Sequence, residues 1–175
     1  MHGPAEHRLD GVQHDLEVHI VHELVDGPEN WKEYHHTLAV VGLFFKVSDH
    51  SHPFIEKLKP IGAPLTTPLS LNELFKNNDQ NNANEFFHYK GSLTNPPCAD
   101  VVNWILYRHV LPITAEHLET FKSVWMTNLG FGNYRDCQPL AGRKIVRNFE
   151  LQEEIHNAAY CAHHVHAHDK PKMHY

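Results

Sequence analysis

The run EVHIVH at positions 17–22 restricts the folds open to this chain more than any other segment. Its alternation of polar and β-branched residues predicts a β-strand. Alternate side chains of a strand share a face, so Glu17, His19 and Val21 point the same way. A metal-binding imidazole needs an acceptor for its second ring nitrogen, and Glu17 is placed to supply one. Taken alone, the pattern is more typical of polar residues on a half-buried strand.

The composition is that of an ordinary globular chain with room for one sizeable core. The chain has 175 residues, of which 41% are hydrophobic and 21% charged. A formal net charge of −6, with no Lys/Arg-rich run, argues against nucleic acid as a partner. No apolar run approaches the roughly 18 residues of a membrane span. The first residues have neither the charged nor the apolar region of a signal peptide.

The coarse pattern predicts a mainly β domain with short helices. Strands are predicted at 16–25, 38–47, 86–89, 101–107 and 144–149, short helices at 54–58 and 70–75, and a longer helix from Thr114 onward. Residues 1–149 form the predicted domain. From residue 150 the pattern dissolves into a polar tail, 150–175.

Histidine is over-represented in this tail. Six of the chain's 18 histidines lie there, and the densest cluster comprises His163, His164, His166 and His168. Imidazoles at this density can chelate a transition metal. The polar composition favours the simpler interpretation, a solvated extension with adventitious metal affinity.

The segment GSLTNPPC at positions 91–98 is the second informative stretch. Its two prolines exclude a central strand or helix and stiffen the turn. The Thr94 hydroxyl before them can accept one hydrogen bond and donate another. Read alone, the segment predicts a tight loop and no particular chemistry.

Taken in order, four stretches resemble the α-class carbonic anhydrases. They are residues 17–22, 38–47, 89–98 with 102–104 following, and the NYR, QPL and GR elements within 133–143. The spacing from Glu6 and His7 to His19 is also similar to that of the family. The resemblance runs from about residue 4 to residue 149. It implies a large, twisted, mostly antiparallel sheet with peripheral helices and a zinc site at the base of a conical cavity.

The resemblance also implies an activity, the zinc-dependent reversible hydration of carbon dioxide to bicarbonate and a proton. His19 matches one of three zinc-binding histidines, and Glu17 matches the acceptor that orients it. Thr94 matches the hydroxyl that hydrogen-bonds the zinc-bound hydroxide, and Glu6 the carboxylate that orients Thr94. His22 falls on the opposite strand face, where a structural place in the core is expected. The residues that match the carbon dioxide pocket are Val21, Val40, Leu93, Asn95, Val102 and Trp104.

The chemistry explains why these residue types are needed. In carbonic anhydrases a catalytic zinc keeps one open position and lowers the pKa of its bound water to about 7. The pocket wall is apolar because carbon dioxide offers little to a hydrogen-bond donor. Asn95 stands where many members carry a second threonine or a histidine.

Two of the three ligands have no match in this chain. In the family, a His-x-His pair lies just before the segment that matches 4–7, so the sheet is expected to be incomplete at the N-terminus. One histidine cannot make a catalytic zinc site. His2 is nearest, but its register is wrong for the missing strand and chain ends fray, so no replacement is expected. Uncovered sheet edges predict self-association or a partner chain.

Three explanations stay open. The chain is a fragment or misread start of a complete zinc enzyme, a non-catalytic relative serving as a binding or structural subunit, or a chain whose missing strand comes from a partner. The first is favoured, because Glu6, His19, Thr94 and Trp104 all match residues that face the family's cavity. Cys98 matches a cysteine that forms a disulfide in secreted family members, which favours a secreted or membrane-attached parent. A free buried thiol is the alternative.

Overall fold

The protein's structure is a computed structural model in which residues 1–25, 36–58, 68–75, 85–129 and 132–149 are described. The strands are β1 (Arg8–Leu9), β2 (Val12–Gln13), β3 (Leu16–Glu23), β4 (Leu38–Val47), β5 (Phe86–Gly91), β6 (Val102–Ile113) and β7 (Val146–Arg147). The helices are α1 (Pro53–Lys57) and α2 (Ala115–Leu129), with a 3₁₀ helix at Leu71–Phe75. The predicted mainly β class is confirmed.

Five strands form one mixed sheet in the order β3-β4-β6-β5-β7. Three of its four pairings are antiparallel, and β4 pairs with β6 in parallel. Within the described part of the chain, β3 is therefore the edge strand, and its His19 lies opposite Gly42 of β4. The remaining two strands, β1 and β2, form a separate antiparallel hairpin.

Both faces of the sheet are buried at β4, which explains the almost continuously apolar sequence of this strand. Val40 and Phe44 belong to one core cluster, which also contains Trp104. Leu43 and Phe45 belong to the other, which α2 covers. Fully burying a side chain of this size contributes about 1.5–3 kcal/mol. Strand β4 thus contributes to both core clusters, and its pairing with β3 fixes the register of that strand.

Several predicted elements differ in extent from the observed ones. The predicted strand 38–47 matches β4, whereas β6 runs six residues beyond its predicted end at 107. The predicted start of the long helix is confirmed, since Thr114 Oγ1 accepts from the His117 backbone N–H at 3.3 Å and α2 begins one residue later. The hairpin β1-β2 was not predicted, although its turn residues Asp10 and Gly11, both at positive φ, are a typical hairpin signal.

The sequence expectation for His22 is wrong, and those for the tail are not tested. His22 is exposed at the end of β3 rather than in the core, because no described element covers this part of the edge strand. The predicted tail 150–175 lies outside the described residues, as do its histidines. Cys98 is a free, half-buried thiol, and Cys137 is disulfide-bonded. None of the described helices has the length and apolar character needed to cross a membrane.

Candidate metal centre

The site is built around the carboxylate of Glu17, a completely buried side chain in β3. Its Oε1 accepts from His19 Nε2 and from His7 Nδ1, each at 2.7 Å. Its Oε2 accepts from the backbone N–H groups of Glu6 and His7 at 2.9 and 2.8 Å. Burial alone would raise the pKa of Glu17, but the electrostatic interaction with His7 and the hydrogen bonds from both rings outweigh burial and hold this pKa well below its usual value.

This carboxylate fixes the tautomers of the two imidazoles. Because an ionised carboxylate only accepts, His19 donates through Nε2 and His7 through Nδ1. The remaining nitrogen of His7, Nε2, accepts from the Tyr89 hydroxyl at 2.6 Å. Burial raises the pKa of Tyr89, which keeps this hydroxyl protonated. The remaining nitrogen of His19, Nδ1, has no hydrogen bond among the described residues, so its lone pair is available.

Glu6 lies across from this nitrogen. Its Oε1 accepts from the Arg135 backbone N–H at 2.8 Å. Its Oε2 is buried without a hydrogen-bond partner, 3.8 Å from His19 Nδ1. That separation is too long for a hydrogen bond. The unpaired carboxylate oxygen and the available imidazole nitrogen therefore face one another.

His2 completes this side of the site, contrary to the expectation that the chain end would fray. Its backbone N–H and C=O pair with Glu17 at 2.7 and 2.8 Å, which forms a short antiparallel bridge to β3. Its Nδ1 lies 2.7 Å from the carbonyl oxygen of Asn133. The Asn133 side chain also accepts from Gly3 N–H and donates to Met1 O. The His2 ring lies 4.6 Å from the His19 ring, centroid to centroid.

Thr94 is brought near Glu6 but is not bonded to it. Both residues line one cavity, together with Tyr89, Arg135 and Arg143. No hydrogen bond joins Thr94 to either oxygen of Glu6 in the described part of the chain. The cavity lining contains two further hydroxyl residues, Ser92 and Tyr89.

The other residues predicted to form the pocket are divided between core and surface. Trp104 packs edge-on against the rings of His7 and His19, with centroids 4.7 and 4.8 Å apart. Buried beside it are Val40 and Val102, with Leu93 packed against the same cluster. Val21, in contrast, is 60% exposed on β3, and Asn95 is exposed on its loop.

Two groups among the described side chains bring three potential metal ligands within 4.8 Å of one another. In the group His7, Glu17 and His19, the carboxylate already accepts four hydrogen bonds. In the group His2, Glu6 and His19, an unpaired oxygen and a free nitrogen remain. Imidazole and carboxylate are donors that suit zinc, so the second group fits such an ion.

Comparison with known proteins agrees with this architecture. The sequence profile of the eukaryotic-type carbonic anhydrases matches residues 2–149. Carbonic anhydrase 1 of Monodelphis domestica is 31% identical over 162 residues, which cover 85% of this chain and 61% of that protein. Alpha carbonic anhydrase 3 of Arabidopsis thaliana is 29% identical over 154 residues, covering 84% of this chain and 50% of that protein.

A solved structure gives the same result in three dimensions. The α-carbonic anhydrase of Thermovibrio ammonificans, in complex with the inhibitor sulfanilamide, superimposes with a TM-score of 0.62 at 31% identity. The match covers 82% of this chain and 58% of that one. The chain therefore belongs to the eukaryotic-type carbonic anhydrase family. It spans about half the length of the curated relatives it matches.

Proposed function

We propose that this protein carries out the zinc-dependent, reversible hydration of carbon dioxide to bicarbonate and a proton, with His19 as a zinc ligand. The observation that carries the proposal is the 2.7 Å hydrogen bond from His19 Nε2 to Glu17, which leaves Nδ1 free to bind a metal. Family membership supplies the reaction class.

When bound, zinc supplies a Lewis acid that lowers the pKa of water to about 7. The chain's own residues position the reactants around it. Glu17 holds the ring of His19, and Trp104 closes one side of the site with an apolar surface. The Trp104 ring is itself fixed by its Nε1–H, which donates to the Ser92 carbonyl at 3.1 Å. Carbon dioxide, which accepts hydrogen bonds weakly, is suited to that surface.

Thr94 and Glu6 are proposed to orient the attacking oxygen. A threonine hydroxyl can accept a hydrogen bond from that oxygen only while it donates its own proton elsewhere. The unpaired Oε2 of Glu6, on the wall of the same cavity, is the acceptor proposed for that proton. Forming this bond requires the Thr94 hydroxyl to move to within hydrogen-bond distance of Oε2.

A second candidate is a catalytically inactive relative that serves as a binding or structural subunit. It is favoured by the sequence resemblance, in which only His19 matches one of the family's three zinc-binding histidines. In this case the Glu17 network would act solely to stabilise the sheet.

The outer edge of β3 is the surface proposed for self-association or for a partner chain. Among the described residues this edge is paired only at Glu17, by His2. Val21 and Val25, 60% and 76% exposed, lie on or just after the strand. Unpaired apolar edges attract further strands. Light scattering after gel filtration should show oligomers that Val21→Lys reduces and Val12→Lys, on the β1-β2 hairpin, does not.

Stopped-flow measurement of carbon dioxide hydration, with zinc and with a chelator, tests the catalytic proposal. The purified chain should show hydration that requires zinc and falls to the uncatalysed rate in His19→Ala. Thr94→Val should lower kcat by roughly 100-fold, the usual cost of one oriented hydrogen bond in a transition state. Thr120→Val, on α2 far from the site, is the matched control. Hydration absent at every zinc concentration, or unchanged in His19→Ala, would favour the inactive candidate.

A further inference from the structure

We propose that Arg135 is a positioning residue that fixes Thr94 and Glu6 relative to one another. The inference deepens the proposed function and rests on it, because Thr94 and Glu6 are the pair proposed there to orient the attacking oxygen. Arg135 acts through these two residues and not on a reactant. Its backbone holds Glu6, and its guanidinium holds the loop of residues 91–99, the Thr94 loop.

The backbone of Arg135 holds the carboxylate of Glu6. The Arg135 N–H donates to Glu6 Oε1 at 2.8 Å, and Glu6 is only 5% exposed. This backbone is itself fixed two residues earlier, where Asn133 Oδ1 accepts from the Gly3 N–H at 3.2 Å. One oxygen of Glu6 is therefore engaged, and Oε2 is left as the acceptor for the hydroxyl proton of Thr94.

The side chain of Arg135 holds the Thr94 loop. Its Nη1 donates to Ser92 Oγ at 3.2 Å and to the Leu93 carbonyl at 3.4 Å, in the two residues directly before Thr94. No carboxylate among the described side chains forms an ion pair with this guanidinium. Because a guanidinium is a rigid planar group, these bonds restrict both the distance and the direction of the loop.

The other hydrogen bonds of the Thr94 loop do not connect it to Glu6. The Leu93 N–H donates to the Ala99 carbonyl at 2.9 Å, within the loop. Trp104 Nε1 donates into the loop from β6, at 3.1 Å. Of the hydrogen bonds in the described part of the chain, only those of Arg135 join this loop to residues 132–149. The relative position of Thr94 and Glu6 therefore depends on this one side chain.

Loss of the guanidinium should affect the rate and not the binding of carbon dioxide. A displacement of about 1 Å in an oriented group can lower a rate about 100-fold. Carbon dioxide is proposed to lie against Trp104, a contact that Arg135 does not make. An interaction that contributes only in the transition state lowers kcat and leaves KM unchanged.

Stopped-flow measurement of carbon dioxide hydration tests the proposal in the full chain. Arg135→Met keeps the apolar stem and removes the donors, so kcat should fall by roughly 10–100-fold while KM stays nearly constant. Arg135→Lys keeps one cationic donor and should recover part of kcat. Arg8→Met removes the same charge from an exposed residue of the same cavity and is the matched control. Equal kcat values for Arg135→Met and Arg8→Met would overturn the proposal.

A double variant tests whether Arg135 acts through Thr94. If it does, adding Arg135→Met to Thr94→Val should lower kcat no further, because the group that Arg135 positions is already gone. Losses that multiply would show that Arg135 affects the rate by another route and would contradict the assignment.

Amide hydrogen exchange distinguishes failure of this proposal from failure of the proposed function. The N–H groups of Leu93 and Cys98 donate within the loop at 2.9 and 2.8 Å, and Arg135→Met should speed their exchange but not that of β5 and β6. Faster loop exchange in a protein that does not hydrate carbon dioxide removes the proposed function and leaves the anchor. Unchanged loop exchange, or an equal increase in the sheet, removes the anchor whatever the hydration rate.

Discussion

Glu17 Oε1 lies 2.7 Å from His19 Nε2, and this one hydrogen bond decides which nitrogen of His19 faces the site. The same oxygen accepts from His7 Nδ1, and His7 Nε2 in turn accepts from the Tyr89 hydroxyl. This series of hydrogen bonds links β3 to β5, on the far side of β4 and β6, through buried polar groups. In such a network each satisfied member supports the next, and a missing one leaves an unpaired buried group.

Replacing Glu17 with Gln should destabilise the fold strongly. The amide cannot accept from both rings and both backbone N–H groups as the carboxylate does, so buried donors lose their partner. We expect a loss of about 3–5 kcal/mol in the free energy of unfolding, measured by urea denaturation. Glu23→Gln, exposed on the same strand, should change it by less than about 0.5 kcal/mol. Equal effects of the two variants would contradict this role of Glu17.

Tyr89→Phe removes only the last hydrogen bond of this network, the one between Tyr89 and His7. Its hydroxyl donates to His7 Nε2 at 2.6 Å, and the ring is otherwise buried against Trp104. The variant should lose about 1–3 kcal/mol, because a buried ring nitrogen is left without a partner. Tyr134→Phe, which is 41% exposed, is the matched control and should be close to neutral. A thermal or urea midpoint unchanged in Tyr89→Phe would show that this hydrogen bond adds nothing.

Gly42→Ala tests how closely β4 packs at the position opposite His19. A Cβ at this position would lie 2.6 Å from Leu106 Cδ2 and 3.2 Å from Glu17 Oε1. The leucine can shift, so we expect a moderate cost of about 1–3 kcal/mol, together with weaker metal binding. Adding Leu106→Val should recover part of the stability. A double variant no more stable than Gly42→Ala would mean that the strain has another origin.

The stability of the protein should fall on mild acidification, in part through His52. Its Nδ1 accepts from the Phe54 N–H at the start of α1, and burial lowers the pKa of His52. The folded state therefore binds fewer protons than the unfolded chain below the usual pKa of 6.5. Stability is complete above that pH and is lost as the pH falls through the folded-state pKa.

His52→Asn supplies the same helix cap without the titration. Its unfolding free energy, measured by urea denaturation between about pH 5 and 7, should therefore depend less steeply on pH than that of the parent. Some dependence should remain, because burial also lowers the pKa of His2 and His14. His50→Asn removes an exposed histidine that caps no helix and serves as the control. Identical slopes for His52→Asn and the parent would contradict the assignment.

The sequence predicted the β4 strand well because both of its faces are buried, which makes its apolar pattern unambiguous. Strand β6 was underestimated for a local reason, the proline at position 112. Strand β5 pairs with β6 only as far as Tyr107. Of the described strands, only β4 therefore lies beside Pro112, and proline is tolerated where a strand has one neighbour. Pairing partners of this kind are not visible in a single strand's sequence.

The candidate site was predictable in part. Glu17 and His19 share a strand face, and their proximity follows from the two-residue period alone. Glu6 and Thr94 were placed by resemblance to a family, and the structure brings them to one cavity without joining them. The position of His2 depends on the bridge to Glu17 and on Asn133, contacts between parts of the chain that no local pattern connects.

The most direct test is the histidine ¹H–¹⁵N spectrum, recorded before and after one equivalent of zinc and assigned by comparison with His19→Ala. It is measured on the full chain with the tail histidines His163, His164, His166 and His168 changed to Ala, so that the tail does not take up the ion. We predict that metal-free His19 carries its proton on Nε2, bonded to Glu17, and that zinc shifts the Nδ1 resonance. A proton on Nδ1, or an Nδ1 resonance unmoved by zinc, would contradict the central claim that this nitrogen is a metal ligand.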